Sequence, residues 1–164
     1  MSEQGFKDLL TQFTSFLLME KGLSQNTVDS YIMDTESFFE FINISKIKKI
    51  KRPLIMGYFS KLKNLNLAPT TIARKFSSLK AFFNFLLYDG LIDKNPMGAL
   101  NAPKIWKKLP EILSYGEIKT ILSSFDISDT WQLRNMLIVK LLYSSGLRVS
   151  ELINVTTDNI LWDI

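Results

Sequence analysis

Apolar side chains recur at three- and four-residue intervals along most of this 164-residue chain, and almost nowhere do they alternate before the last few residues. That spacing gathers apolar groups on one stripe of a helix and gives a strand no coherent face, so it dictates a helical fold. Phe6, Leu9, Leu10, Phe13, Phe16 and Leu17 mark a first helix from about Ser2 to Lys21, and Gly22 is its natural stop. Ser24 caps a second, with its stripe at Val28, Tyr31, Ile32, Phe38, Phe39 and Ile42. A basic connector, Lys46 to Arg52, leads to Pro53 and a third helix carrying Leu54, Ile55, Tyr58, Phe59 and Leu62. Pro69 opens a fourth, with Ile72, Phe76, Leu79, Phe82, Phe83 and Leu86, ending at Gly90. Four amphipathic helices with short connections predict a compact bundle.

Beyond it, Asn95-Pro96, Pro103, Lys104, Lys107, Lys108 and Pro110 read as a basic, proline-marked linker over residues 90–110. Ser114-Tyr115-Gly116-Glu117 is a capping-box pattern, predicting a fifth helix to about Ser124. A sixth runs from about Asp129 to Ser145, and Met136-Leu137-Ile138-Val139 with Leu141-Leu142 makes it apolar on most faces, which predicts deep burial. The residues after the linker are too few to cover such a helix, so either the second domain is incomplete or another chain covers it; incompleteness is the favoured reading. Val155 to Ile164 could begin a strand.

The chain has no cysteine and no histidine. Thiolate chemistry, disulfides, the commonest general base and the commonest metal ligand are thereby excluded, which argues against a complete hydrolase or zinc site. There is no basic n-region followed by an apolar run at Met1–Gly5, and the densest apolar stretch, Met136 to Tyr143, is interrupted by Lys140; the chain reads as soluble and cytoplasmic. Its net charge of +4 conceals a strong division: −5 over residues 1–45, +12 over 46–108 and −3 over 109–164. A basic middle third with almost no acids points to a polyanion partner.

Two places carry candidate chemistry. In Ser144-Ser145-Gly146-Leu147-Arg148-Val149-Ser150-Glu151-Leu152 a helix breaks at glycine and restarts with an arginine in the new first turn, where a guanidinium and helix N-terminal amides can meet one anion. Glu151, one turn on, can brace Arg148; the plain alternative is a surface ion pair. The fourth helix offers Thr70, Thr71, Arg74, Lys75, Ser77, Ser78 and Lys80 around its stripe, the side-chain types that hold a helix on phosphates and read base edges; the alternative is a solvated face. Ser24, Gln25, Asn26 and Thr27 make a polar edge suited to DNA and equally a good helix start. Lys46 to Arg52 could be a phosphate-contacting loop, a nuclear localisation stretch or a solvated turn. The twelve phenylalanines sit at core spacing rather than as base-stacking platforms. Tyr115, in a helix cap, and Tyr143, in the sixth helix, have no base within a recognisable motif and are not read as nucleophiles.

Taken in order, Gly22 to Thr27, Tyr31 to Phe41, Thr71 to Arg74 through Lys80 to Phe82, Asn95-Pro96, Lys107 to Pro110, Leu113-Ser114 and Ser145 to Leu152 resemble the tyrosine recombinases (phage integrases), and among them the Xer-type site-specific recombinases. The resemblance implies an all-α chain as given: a four-helix, SAM-like core-binding domain at 1–89 that clamps DNA, the linker, and the first helices of a mixed α/β catalytic domain at 111–164. In the family the second and fourth clamp helices face the major groove. It implies DNA contacts from Ser24, Gln25, Asn26, Thr27, Thr70, Thr71, Arg74, Lys75, Ser78, Lys80, Lys104, Lys107 and Lys108. It further implies that Arg148 is the first active-site arginine, with Glu151 its supporting acid. In that chemistry a tyrosine attacks the scissile phosphate to give a 3′-phosphotyrosyl link within a tetramer on two duplexes, without metal, cofactor or nucleotide energy source. The family's lysine, His-x-x-Arg motif and nucleophilic tyrosine would lie beyond Ile164, so the chain alone is expected to bind DNA without cleaving it. A helical DNA-binding accessory protein and a helical interaction module with an incidental basic face are the competing expectations.

Overall fold

The computed structural model describes residues 3–42, 47–103 and 111–160, with side chains from Gly5. Its chain forms two compact units, Met1–Lys107 and Lys108–Ile164. Seven α-helices are described: α1 (Glu3–Ser15), α2 (Gln25–Ile42), α3 (Arg52–Asn64), α4 (Pro69–Tyr88), α5 (Tyr115–Ser123), α6 (Thr130–Ser145) and the single turn α7 (Val149–Leu152). Short 3₁₀ turns occupy Ile47–Lys49 and Thr157–Asn159. No strand occurs among the described residues. The strand that Val155 to Ile164 could have begun is a 3₁₀ turn in its described part, capped where Asn159 Oδ1 accepts from the Thr156 N–H at 2.9 Å; residues 161–164 lie outside the described residues.

In the first unit the helix punctuation follows local chemistry. Pro69 opens α4, where its fixed φ suits the helix and its missing N–H is not needed. Gly22 and Gly90 adopt φ near +60° and +67°, the left-handed exit that glycine accepts without strain. The end of α1 departs from a plain helix: Phe16–Glu20 forms a π-turn, and Lys21 N–H reaches five residues back to the Phe16 carbonyl at 3.2 Å.

The core is aromatic. Phe13, Phe38, Phe82 and Leu86 are fully buried, and Phe13 meets Phe82 edge-on at 5.1 Å while Phe38 meets Tyr58 edge-on at 5.2 Å. Tyr58 takes its hydroxyl inward to Ser37 Oγ at 3.1 Å, so the ring is buried without orphaning its oxygen. None of the twelve phenylalanines is exposed, as their core spacing predicts. The segment after Gly90 differs from a free linker: Ile92 and Met97 are buried in this same core, and Asn95 ties the turn to α4 through Asn84 Oδ1 at 2.6 Å while its own Oδ1 accepts from Met97 N–H at 2.7 Å. Residues 91–103 hold no helix, and an apolar residue at each of these two positions docks the segment.

In the second unit Ser114 and Glu117 form the capping box that opens α5, and Asp129 caps α6 by accepting from Trp131 N–H at 2.8 Å. Gly146, at φ +67°, ends α6. Against the expected deep burial, no residue of α6 is buried: Trp131, Leu137, Leu141 and Tyr143 are exposed. Composition set the helix's affinity for a core, and the described residues of this unit supply too little surface to make one.

Candidate nucleic-acid interface

α2 and α4 meet around one buried carboxylate. Asp34 is 2% exposed, and three groups of α4 converge on it: Arg74 Nη1 and the Ser78 hydroxyl (2.8 Å) on Oδ2, and Lys75 Nζ (3.0 Å) on Oδ1. Arg74 Nη1 also donates to the Ser30 carbonyl at 3.3 Å. This junction sets the polar beginnings of the two helices side by side, since Ser30 lies one turn past Asn26 and Arg74 one turn past Thr70.

The residues predicted to face DNA divide accordingly. Ser24, Gln25, Asn26, Thr70, Arg74 and Lys80 are exposed, and Thr27 and Thr71 half-buried. Ser24 Oγ pairs with Thr27 Oγ1 at 3.0 Å and Gln25 Nε2 donates to Asp29 at 2.8 Å, so part of this edge is engaged within its own helix. Ser78 requires correction: it is fully buried and bonded to Asp34, so it cannot reach a partner outside. Lys75 turns inward too, its side chain 13% exposed against 43% for Arg74. A helical wheel of hydroxyls and cations does not say which of them face a neighbouring helix; α2 decides that. Lys104, Lys107 and Lys108 lie outside the described residues.

Asp34 itself was missed, and the sequence held its signal. It occupies the apolar stripe between Tyr31 and Phe38, and a carboxylate on the buried stripe needs cationic partners from another element.

In the second unit Arg148 stands immediately before α7 with extended backbone (φ −74°, ψ 155°). Glu151 grips it twice: one carboxylate oxygen accepts from the Arg148 N–H at 2.7 Å, the other from Nη1 at 2.9 Å. The main-chain bond fixes the turn and the side-chain bond selects the guanidinium's direction, leaving 82% of the arginine side chain exposed. An arginine so held offers its remaining N–H groups to an anion at low entropic cost. Tyr143 is half-exposed and Tyr115 more so, and no described residue makes a hydrogen bond to either hydroxyl. No cluster of metal-ligand type and no helix long and apolar enough to cross a membrane occurs among the described residues.

Residues 10–90 match the phage integrase N-terminal SAM-like domain. The chain is 32% identical over 157 residues to tyrosine recombinase XerD of Listeria monocytogenes, covering 93% of this chain and 53% of the relative. It is 36% identical over 155 residues to XerD of Halalkalibacterium halodurans, covering 92% and 52%. It thus spans about half the length of these curated relatives. Among solved structures, the Tn1549 transposon integrase in complex with circular intermediate DNA shares the fold, with a TM-score of 0.66 at 22% identity over 94% of this chain and 51% of that one.

Proposed function

We propose that this chain, which belongs to the phage integrase family of tyrosine recombinases, binds duplex DNA through the joined surface of α2 and α4 and contributes Arg148 and Glu151 to a DNA-cleaving site. The first unit is then the core-binding clamp and the second the beginning of a catalytic domain. The observation that carries the reading is Arg74: both its hydrogen bonds to described residues leave from Nη1, and 43% of its side chain stays exposed beside the polar starts of α2 and α4, which leaves Nε and Nη2 for an outside partner. Ser24, Gln25, Asn26, Thr27, Thr70, Thr71 and Lys80 are the further phosphate and base-edge partners; Lys75 and Ser78 belong to the internal junction instead. The exposed Lys48, Lys49, Lys51 and Arg52 add to the positive field.

In the reaction a tyrosine oxygen, supplied by residues other than those described, attacks the scissile phosphorus, a 3′-phosphotyrosyl bond forms and the 5′-oxygen leaves as a hydroxyl. Arg148, steered by Glu151, neutralises the extra charge on the non-bridging oxygens in the transition state. The reacting assembly is a tetramer on two DNA sites in the cytoplasm. Fluorescence anisotropy with a mixed-sequence duplex across a range of salt tests the binding. Affinity is expected to fall steeply with salt, and Arg74→Ala to flatten the log–log slope by roughly 0.9 for one lost phosphate contact. Binding that ignores salt, or no binding at all, overturns the reading.

A further inference from the structure

The α2–α4 junction contains more positive charge than it shows. Asp34 is buried, and it faces two cations that follow each other on α4; Lys75 is drawn in until its ammonium lies 3.0 Å from Oδ1, while Arg74 bonds Asp34 with 43% of its side chain still exposed. One cation balances the charge of one carboxylate; Arg74 with Ser78 meets Oδ2 and Lys75 meets Oδ1, so the junction holds one positive charge more than Asp34 offsets. The second cation is surplus to charge balance. Building on the reading of α2 and α4 as a DNA surface, we propose that Asp34 is a specificity-determining residue: an internal counter-anion that withholds Lys75 from DNA and limits the sequence-independent affinity of the clamp.

The physical basis is the behaviour of a long amine beside a removable charge. Lys75 stays in because the carboxylate compensates its desolvation. With that charge gone, its four-carbon stem carries the ammonium outward while the methylenes remain packed, which places a second cation one residue from Arg74. Each phosphate a protein neutralises adds about 0.9 to the salt slope, and near 0.1 M salt that is roughly eightfold in affinity. Phosphate contacts are blind to base identity, so such a gain is shared by all sequences and dilutes the part of the affinity that reads bases.

Asp34→Asn is the discriminating change, because the amide oxygen can still accept from Ser78 and Arg74. With the full 164-residue chain and a mixed-sequence duplex, Asp34→Asn is expected to bind roughly eightfold more tightly near 0.1 M salt, with a slope steeper by about 0.9. Adding Lys75→Gln should return the slope to that of the unsubstituted protein, whereas Lys75→Gln alone should leave it where it was. A purely structural Asp34 predicts the opposite, weaker binding as the helices loosen. An unchanged or shallower slope for folded Asp34→Asn overturns the proposal. Should that variant fail to fold by circular dichroism, Lys75→Gln decides: a flattened slope means Lys75 already touches DNA beside Asp34, which also overturns it, and an unchanged slope supports it. Absence of salt-dependent binding by the unsubstituted chain would instead remove the DNA-binding reading, and this proposal with it.

Discussion

Ser78→Ala separates a residue that builds the clamp from one that touches DNA. The Ser78 hydroxyl has two acceptors within reach, Asp34 Oδ2 at 2.8 Å and the Arg74 carbonyl at 3.0 Å, but a single proton. The carboxylate is nearer and charged, so it takes that proton. A hydrogen bond to a charged group contributes about 1.5–3 kcal/mol. Arg74 and Lys75 remain on Asp34 after the change, and only one oxygen leaves a fully enclosed position, so the loss belongs at the lower end, about 1.5–2 kcal/mol. For a unit of this size each kcal/mol moves the melting midpoint by about 4–8 °C, giving a fall of roughly 6–16 °C. Calorimetry or far-ultraviolet circular dichroism reads the midpoint, and anisotropy on the same sample, well below it, reads DNA binding. Midpoint down with affinity unchanged is the expected pair. Affinity lost with the midpoint in place would mean that Ser78 faces DNA and that the helix junction has been misread.

Three further outcomes follow from the second unit. Where the remaining catalytic residues are supplied, Arg148→Ala should leave duplex binding near its original strength and abolish covalent protein–DNA product on a denaturing gel; cleavage at the normal rate would remove Arg148 from the chemistry. Bonds from the Ser114 N–H and then its hydroxyl hold the Glu117 carboxyl below the usual carboxylate range. Since the folded value is depressed, the cap's stabilisation is complete above the ordinary range and disappears as pH falls through the lowered value, so amide exchange in α5 should accelerate on acidification through that window and become insensitive to it in Glu117→Gln. Gly146→Ala meets no atom within 4 Å of the new Cβ, so its cost is the left-handed backbone alone, about 1 kcal/mol, read as faster exchange at the end of α6.

What the sequence disclosed was periodic or local. The four helices of the first unit, the Ser114–Glu117 box, the Asp129 cap and the glycine exit before Arg148 all rest on residues within one or two turns of each other, where spacing carries the geometry. The grip of Glu151 on Arg148 belongs to the same class. What escaped depended on a partner far along the chain. Asp34 lies 40 residues from Arg74 and 44 from Ser78, and nothing within α4 announces that Lys75 turns inward while Arg74 divides. Ile92 and Met97 join the core as isolated apolar residues that no period marks. For α6 the apolar composition predicted deep burial, and no residue of the helix is buried among the described residues.

The π-turn at Phe16–Glu20 bears on how this chain can vary in length. It holds one residue more than an α-turn would, and it places the neighbours Phe16 and Leu17 together in the core while Met19 stands almost wholly in solvent. Loss of one residue at Met19 would tighten the loop to ordinary helix and leave α1 and the Gly22 exit where they are. The same deletion inside α4 would rotate every later side chain by about 100° and turn Phe82, Phe83 and Leu86 away from the core. Insertions and deletions of one residue therefore have a natural home at the end of the first helix, in a bundle that tolerates them in few other places.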